Sequence, residues 1–324
     1  MLRNRLLLFA IMLALLLIFP TSAIASRFNR VIYPVVVEDD SGYQFKMKKK
    51  PEKIISTMPG ITEMLFSMKL GEKIIGVTKF CDYPDDAKEI EKIGGMRMNL
   101  EKIISLEADL IVMDGDAQKK DIQKFRKHEL PVFVINPTTI EALFKAYEKL
   151  GIITANYHAA YSRTEWMKRK ILWKEVQSRK FTQRTIMVGT EEVIEKFKLT
   201  TALVIISKRP VVAVGKNTFI DDMLRTIGVK NVIEGKVKYP KLGKEQIFKF
   251  NPDIIITTED IYKKPEDVYK DHKYKHTSAG ITKKVLIIDP DVISRPGPRL
   301  VTALNKIYDF VYNIPTTEVV DEKS

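Results

Sequence analysis

Apolar positions fall into short blocks whose spacing alternates between the periods of strand and helix. Residues 31–37 and 42–47, split by Glu38-Asp39-Asp40-Ser41, predict a β-hairpin with an acidic turn. Lys48–Lys50 and Pro51 follow as a linker. Residues 54–57 form a short, fully apolar-flanked block of the kind that makes a buried strand. Gly60 to Phe66 then opens a helix, with Thr62 as its N-cap and Gly71 just past its end. The same alternation continues with strands at 74–77, 110–113 and 132–135. Helices are predicted at 100–106, 118–128 and 140–150, the last capped by Thr138 or Thr139. Strands interleaved with helices of this size imply parallel α/β architecture.

Residues 154–180 break the alternation. They contain no Pro or Gly, and Trp166 and Trp173 share one helical face. One helix of up to about 27 residues, near 40 Å long, is predicted there, enough to join two lobes. Residues 181–200 carry no clear period. Beyond them, strands are predicted at 202–206, 211–214, 254–257 and 285–288, with 231–233 extended. Helices are predicted at 219–226, 245–250 and 300–312. The organisation is therefore a lobe over 26–153 led by the hairpin, a linking helix over 154–180, a lobe over 181–313, and a polar tail over 314–324.

The two halves echo each other. The run from Glu101 to Val112 aligns without gaps on the run from Glu245 to Ile256, at a constant offset of 144, with Glu101 matching Glu245 and Asp109 matching Asp253. Met64-Leu65 with Gly71 matches Met223-Leu224 with Gly228, two residues tighter. This describes a two-lobed chain with one equivalent acid on each lobe.

The first 25 residues do not belong to the fold. Arg3 and Arg5 precede an apolar run of 14 residues from Leu6 to Phe19, Pro20 ends it, and Ala23-Ile24-Ala25 presents small residues for cleavage before Ser26. This is the grammar of a secretory signal peptide, and the run is short for a bilayer span. An exported, periplasmic protein is expected, held at the membrane if the leader stays uncleaved. No cysteine follows the run, so lipid attachment there is not expected.

The full chain of 324 residues suits two domains, and its single cysteine excludes an internal disulfide framework. Lys+Arg 54 against Asp+Glu 41 gives a formal charge of +13, and loss of Arg3 and Arg5 lowers it to +11. The lysines spread over polar helix faces without interleaved aromatics, so no nucleic-acid partner is expected. No Walker-type loop, G-x-G-x-x-G or G-x-S-x-G run is present, nor any nucleophile–base pair, which argues against an enzyme. Cys81 reads as a partly buried small residue. His272 and His276, four apart among lysines, read as a solvated loop rather than a metal site.

Five clusters fall where α/β sheets place ligands: Met58-Pro59-Gly60, Phe80 to Pro84, Met96 to Asn99, Lys238-Tyr239-Pro240, and Asp291 to Arg299. Met58, Pro59, Phe80, Tyr83, Met96 and Tyr239 offer apolar contact area. Arg295 offers a planar donor fork.

These runs carry a resemblance. The chain from Ile54 to Thr78, followed by Asp82-Tyr83-Pro84, Gly94-Gly95, Asn99 to Ile103, Gly215 to Asp222 and Ser294 to Arg299, resembles the substrate-binding proteins of ABC importers for vitamin B12 and ferric siderophores. The resemblance covers about residues 31–312. It implies two α/β lobes of Rossmann-like type joined by one rigid helix, a small-molecule metal chelate in the cleft between them, and a monomer that delivers it to an inner-membrane permease dimer. The cobalamin-binding branch is the nearest in pattern. It implies a corrinoid ligand lined by Phe80, Tyr239, Asp291 and Arg295, with a ferric siderophore or haem as the alternative. It also implies that Glu101 and Glu245 dock onto the permease. This chain departs from the pattern in carrying Met96 or its neighbours where a tryptophan is common, and in a longer 181–200 segment.

Overall fold

The computed structural model describes residues 31–188, 191–196 and 199–312. The leader over 1–25, its cleavage before Ser26 and the tail over 314–324 lie outside these residues.

Strands β1 (Val35–Glu38) and β2 (Gln44–Met47) form the predicted antiparallel hairpin. Its acidic turn does more than reverse the chain. Asp39 is buried, accepts the Val134 N–H at 3.1 Å, and ion-pairs with Arg126 at 2.5 Å. Asp40 donates its N–H to the Val134 carbonyl and accepts the Asn136 N–H. The hairpin thereby covers an open sheet edge, a position that otherwise invites aggregation.

That edge belongs to β6 (Val132–Ile135), the last strand of a four-stranded parallel sheet in the order β4–β3–β5–β6, with β3 (Ile54–Ser56), β4 (Ile74–Val77) and β5 (Leu110–Asp114). Four helices accompany it: α1 (Pro59–Ser67), α2 (Leu100–Ser105), α3 (Lys119–Lys127) and α4 (Ile140–Ile153). Thr139 caps α4 by accepting the Ala142 N–H at 3.0 Å, as one of the two predicted threonines. Thr62 does not cap α1. Met58 holds that position, Pro59 starts the helix with a preset φ, and Thr62 is buried within it, bonded to Ser56. Helix α1 also stops at Ser67, and Gly71 opens a separate 3-10 turn instead of closing the helix.

The linking helix α5 runs Tyr157–Thr182, 26 residues, displaced by two or three from the predicted span because α4 continues to Ile153 and Thr154 caps it. The unassigned segment after it is an antiparallel hairpin, β7 (Gln183–Val188) with β8 (Glu191–Lys196).

The second sheet runs β10–β9–β12–β13, with β9 (Thr201–Lys208), β10 (Val211–Ala213), β12 (Ile254–Thr258) and β13 (Val285–Ile288); β11 (Lys230–Asn231) pairs with β9 at its side. Its helices are α6 (Phe219–Thr226), α7 (Lys244–Phe250), α8 (Pro265–Tyr269), α9 (Ser278–Thr282), α10 (Pro290–Ser294) and α11 (Leu300–Tyr312). The short α8, α9 and α10 were not foreseen; each spans five residues, too few for a helical period to register in the sequence. His272 sits exposed between α8 and α9, beside Asp271, in the expected loop.

Strand periodicity divides the core into layers. Ile54, Leu110, Val112, Ala202, Val204, Ile254 and Ile256 enter one continuous cluster that also holds Met64, Leu143, Met167, Met223 and Leu304. Their odd-numbered neighbours face outward, Ile55, Ile111 and Met113 into one outer layer and Leu203, Ile205 and Ile255 into another. The middle cluster thus contains side chains of both sheets, so the two lobes share an apolar core.

Candidate functional site

A cavity of about 530 Å³ lies between the lobes at the carboxyl ends of the first sheet's strands. Its first-lobe wall is Thr57 to Ile61 with Met64, Thr78, Phe80, Gly95, Met96, Asp114 and Gln118, and its second-lobe wall is Asp291 with Ser294 to Pro296. This is where open α/β sheets bind ligands, and the volume falls in the range of small-molecule sites. Another cavity, about 470 Å³, lies between β2 and α3 on the outside of the first lobe. No second-lobe residue reaches it, so it lacks the two-sided enclosure of the interlobe cavity.

Six of the eight expected contact residues line the interlobe cavity: Met58, Pro59, Phe80, Met96, Asp291 and Arg295. Met96 is 87% exposed and Phe80 41%, so both present apolar surface along the cavity. Tyr83 and Tyr239 do not line it. The Arg299 guanidinium stacks on the Tyr83 ring at 4.2 Å, which gives this tyrosine a place in the lobe junction. Tyr239 is exposed in the loop before α7, beside Lys238, whose ammonium bridges to Asp116 of the first lobe at 2.7 Å.

Arg295 is not a free fork. Its Nη1 donates to Asp82 Oδ1 at 2.7 Å and lies 3.4 Å from Glu63 Oε1, and its Nη2 lies 2.7 Å from Asp291 Oδ1. Asp291 and Arg295, both expected to meet the ligand, thus pair with each other, and two first-lobe carboxylates share the same guanidinium. Glu63 is fully buried and accepts both Arg299 Nε at 2.9 Å and Arg299 Nη2 at 2.6 Å. Such a two-pronged pair fixes geometry as well as charge. The chain backbones meet at the same place: a methyl on Gly60 would lie 2.7 Å from the Pro296 carbonyl oxygen, so only glycine fits.

The acids here titrate in opposite directions. Burial pushes the Glu63 carboxyl up, against the pull of Arg299 and Arg295. Burial likewise raises Asp291, and Arg295 offsets it only in part. At half-exposed Asp82 burial acts upward too, but the Arg295 hydrogen bond and charge outweigh it and hold the carboxyl below its ordinary range. Asp114, at the end of β5, is raised by burial despite accepting the N–H groups of Asp116 and Ala117.

Sequence reasoning missed Asp114, Gln118 and Asp121 as cavity residues, and Glu63 and Arg299 as the lobe clasp. Asp114 had one available signal, its place at the carboxyl end of a predicted strand. The Glu63–Arg299 contact spans 236 positions and leaves no local pattern. Among the described residues no group of three His, Cys, Asp or Glu side chains is placed to hold a metal ion. Cys81 is buried more completely than expected, with its sulfur 3.2 Å from the Thr78 hydroxyl.

Glu101 and Glu245 lie outside this cavity, exposed in the first turns of α2 and α7.

Comparison with known proteins agrees with this architecture. Residues 54–292 match the family described as periplasmic binding protein. An uncharacterized ABC transporter substrate-binding lipoprotein, YvrC of Bacillus subtilis, is 29% identical over 286 residues, spanning 87% of this chain and 86% of YvrC. A possible iron-binding, periplasmic solute-binding protein of Staphylococcus epidermidis superposes with a TM-score of 0.67 at 26% identity, over 82% of this chain and all of the other. The periplasmic vitamin B12-binding protein BtuF of Vibrio cholerae superposes with a TM-score of 0.69 at 21% identity, over 82% of this chain and 98% of BtuF.

Proposed function

The chain belongs to the periplasmic binding protein family, and on that footing we propose that it is the extracytoplasmic substrate-binding component of an ABC importer that captures a corrinoid in the interlobe cleft. Family membership makes it a binding protein rather than an enzyme. The observation that carries the corrinoid reading is the character of the cavity. It is formed by both lobes, and Phe80 and Met96 lie exposed along it. A corrinoid brings a wide apolar ring face and peripheral amides, which suit such walls. Phe80, Met58, Pro59 and Met96 would contact the ring, with Tyr83 and Tyr239 flanking the cleft. Asp291 and Arg295 would meet the ligand as a pair already neutralised by the lobe clasp.

The protein is read as exported by its amino-terminal leader and as acting as a monomer. Its sole cysteine is buried Cys81, so the lipid anchor of the Bacillus relative would have no thiol to use here. No helix of the described residues is long and apolar enough to cross a membrane. The partner would be a permease dimer, approached through Glu101 and Glu245.

Purified protein incubated separately with cyanocobalamin, haemin and a ferric siderophore, then desalted, tests the ligand. Retention of the corrinoid spectrum is expected. Retention of haemin or the siderophore alone would replace the corrinoid by the alternative chelate.

A further inference from the structure

The cavity's hydrogen-bonding capacity is lopsided. Most of its side-chain donors are already engaged within the protein. The one proton of the Thr57 hydroxyl is engaged between Gln118 Oε1 at 2.6 Å and the Val112 carbonyl at 3.0 Å, and one N–H of Gln118 Nε2 donates back to the Thr57 carbonyl. The Ser294 hydroxyl donates to the Pro290 carbonyl, and the Thr78 hydroxyl is paired with the Cys81 sulfur. Arg295, the only cation among the lining side chains, is divided among Asp82, Asp291 and Glu63. What remains open is chiefly acceptor capacity. Asp114 and Asp121 both line the cavity, and no Lys, Arg or His of the described residues lies within ion-pair distance of either. The nearby Asp116 takes the close cationic partners, Lys238 and Lys119, and the Lys238 charge reaches Asp114 only from beyond ion-pair distance. The remaining donors include main-chain N–H groups at the start of α1, where no side chain caps the helix.

Resting on the reading of this cleft as the ligand site, we infer that Asp114 and Asp121 select ligand charge, so that the cleft takes a neutral or cationic chelate bearing amide donors and rejects a carboxylate-bearing one. A carboxylate entering the cavity would meet two acids that have no ion-pair partner among the described residues, and would find few free side-chain donors. It would also strip water from groups left unpaired, the costly case for a buried charge. A primary amide suits the first-lobe wall, because its NH₂ can donate to Asp114 or Asp121 and its carbonyl can accept from the start of α1. The net positive charge of the whole chain works in the opposite direction, so the preference arises inside the cavity and not from long-range attraction.

Two matched pairs of ligands test this at low salt by fluorescence or absorbance titration. One pair is cyanocobalamin and its monocarboxylic acid, in which a single peripheral amide is hydrolysed. The other is haemin and haemin dimethyl ester. The wild-type protein should bind the amide corrinoid over its acid by about tenfold, the scale of one added charge facing another across a partly solvated cleft. The Asp114→Asn/Asp121→Asn variant keeps the side-chain acceptors, including those for the Asp116 and Ala117 N–H groups. It should retain the wild-type melting temperature and lose most of the discrimination. If the protein binds no corrinoid but prefers the haemin ester over haemin, and loses that preference in the variant, the charge inference stands while the corrinoid reading falls. Equal or tighter binding of the acidic member of either pair by wild type overturns the inference. So does discrimination unchanged in the folded variant, or failure to bind any of the four.

Discussion

Glu63 shows how much a single side chain carries here. It sits in α1 of the first lobe, with no exposed side-chain surface, and holds Arg299 in two hydrogen bonds from the second lobe. Arg295 lies 3.4 Å from the same carboxylate. Removing one partner of a buried pair leaves the other charge uncompensated, which costs about 3–5 kcal/mol. Glu63→Ala should therefore lower unfolding stability by about 3 kcal/mol in urea titrations, because both arginines keep a little solvent contact. Glu63→Gln, which keeps an acceptor, should lose less; equal stability of all three proteins would show that the clasp contributes nothing. Nothing near position 63 signals this role in the sequence. A glutamate in the second turn of an amphipathic helix reads as surface, and only the fold brings the arginines 236 positions later to meet it. Asp291 and Arg295 were brought out by the resemblance as ligand positions, whereas their pairing, and Asp82 as its third member 213 positions away, left no signal.

At the scale of elements, the 144-residue repeat is a repeat of structure. In the first lobe, Asp109 precedes β5, accepts the Glu52 and Lys53 N–H groups at 2.9 and 3.0 Å, and returns its own N–H to the Lys53 carbonyl. In the second, Asp253 precedes β12, accepts the Thr201 N–H and hydroxyl at 2.9 and 2.7 Å, and returns its N–H to the Thr201 carbonyl. Each aspartate locks the entry of the neighbouring parallel strand. The spacing was legible, but this task was not, since it depends on which strands pair. The other proposed correspondence shifts in register. Gly228, at φ 72°, occupies the left-handed helix end that Lys69 takes in the first lobe at φ 60°, and Gly71 has no counterpart there. The glycine was the conspicuous residue, yet a lysine does the equivalent work at a cost in strain. The aspartate also gives a pH test. Against the upward push of burial, the Glu52 and Lys53 N–H groups and the Lys49 ammonium hold the Asp109 carboxyl below its ordinary value. A lowered native value contributes stability above the unfolded value of about 4 and loses it as acid protonates the native carboxylate. Asp109→Asn should thus cost about 1–2 kcal/mol at pH 7, the scale of hydrogen bonds to a charged group. The difference from wild type should shrink steadily as the pH falls below about 4. A gap that is constant from pH 7 to 3 would show that the charge of Asp109 is not what matters.

The whole molecule combines a shared core with a repeated outer surface. One apolar cluster spans both sheets, α1, α4, α5, α6 and α11, and Lys174 of the linking helix is buried against Asp309 of α11 at 2.8 Å. A body so joined presents its two lobes at a fixed separation. The outer ends of α2 and α7 then carry the same two features at the same offset. Glu101 and Glu245 each sit in the first helical turn, and one turn later Ile104 is 43% exposed and Phe248 58% exposed. Acids in a first turn are favoured by the helix dipole by about 0.3–1 kcal/mol, which explains the glutamates in isolation. It does not explain why an exposed apolar position recurs beside each at the same offset of 144. A partner built as a two-fold dimer, with a basic residue next to an apolar contact on each half, accounts for both features, because a two-lobed body can sit across that axis with one matching patch on each side. Charge reversal then separates the two explanations. Glu101→Arg and Glu245→Arg should each impair uptake in cells that depend on this protein, and the double variant should be worst, while the purified proteins bind ligand as the wild type does. Ile104→Ser and Phe248→Ser should weaken uptake without the salt sensitivity of the charge variants, since they remove apolar contact and leave the steering charge in place. If all four single variants transport normally, the glutamates serve only their own helices and the permease must meet another face of the lobes.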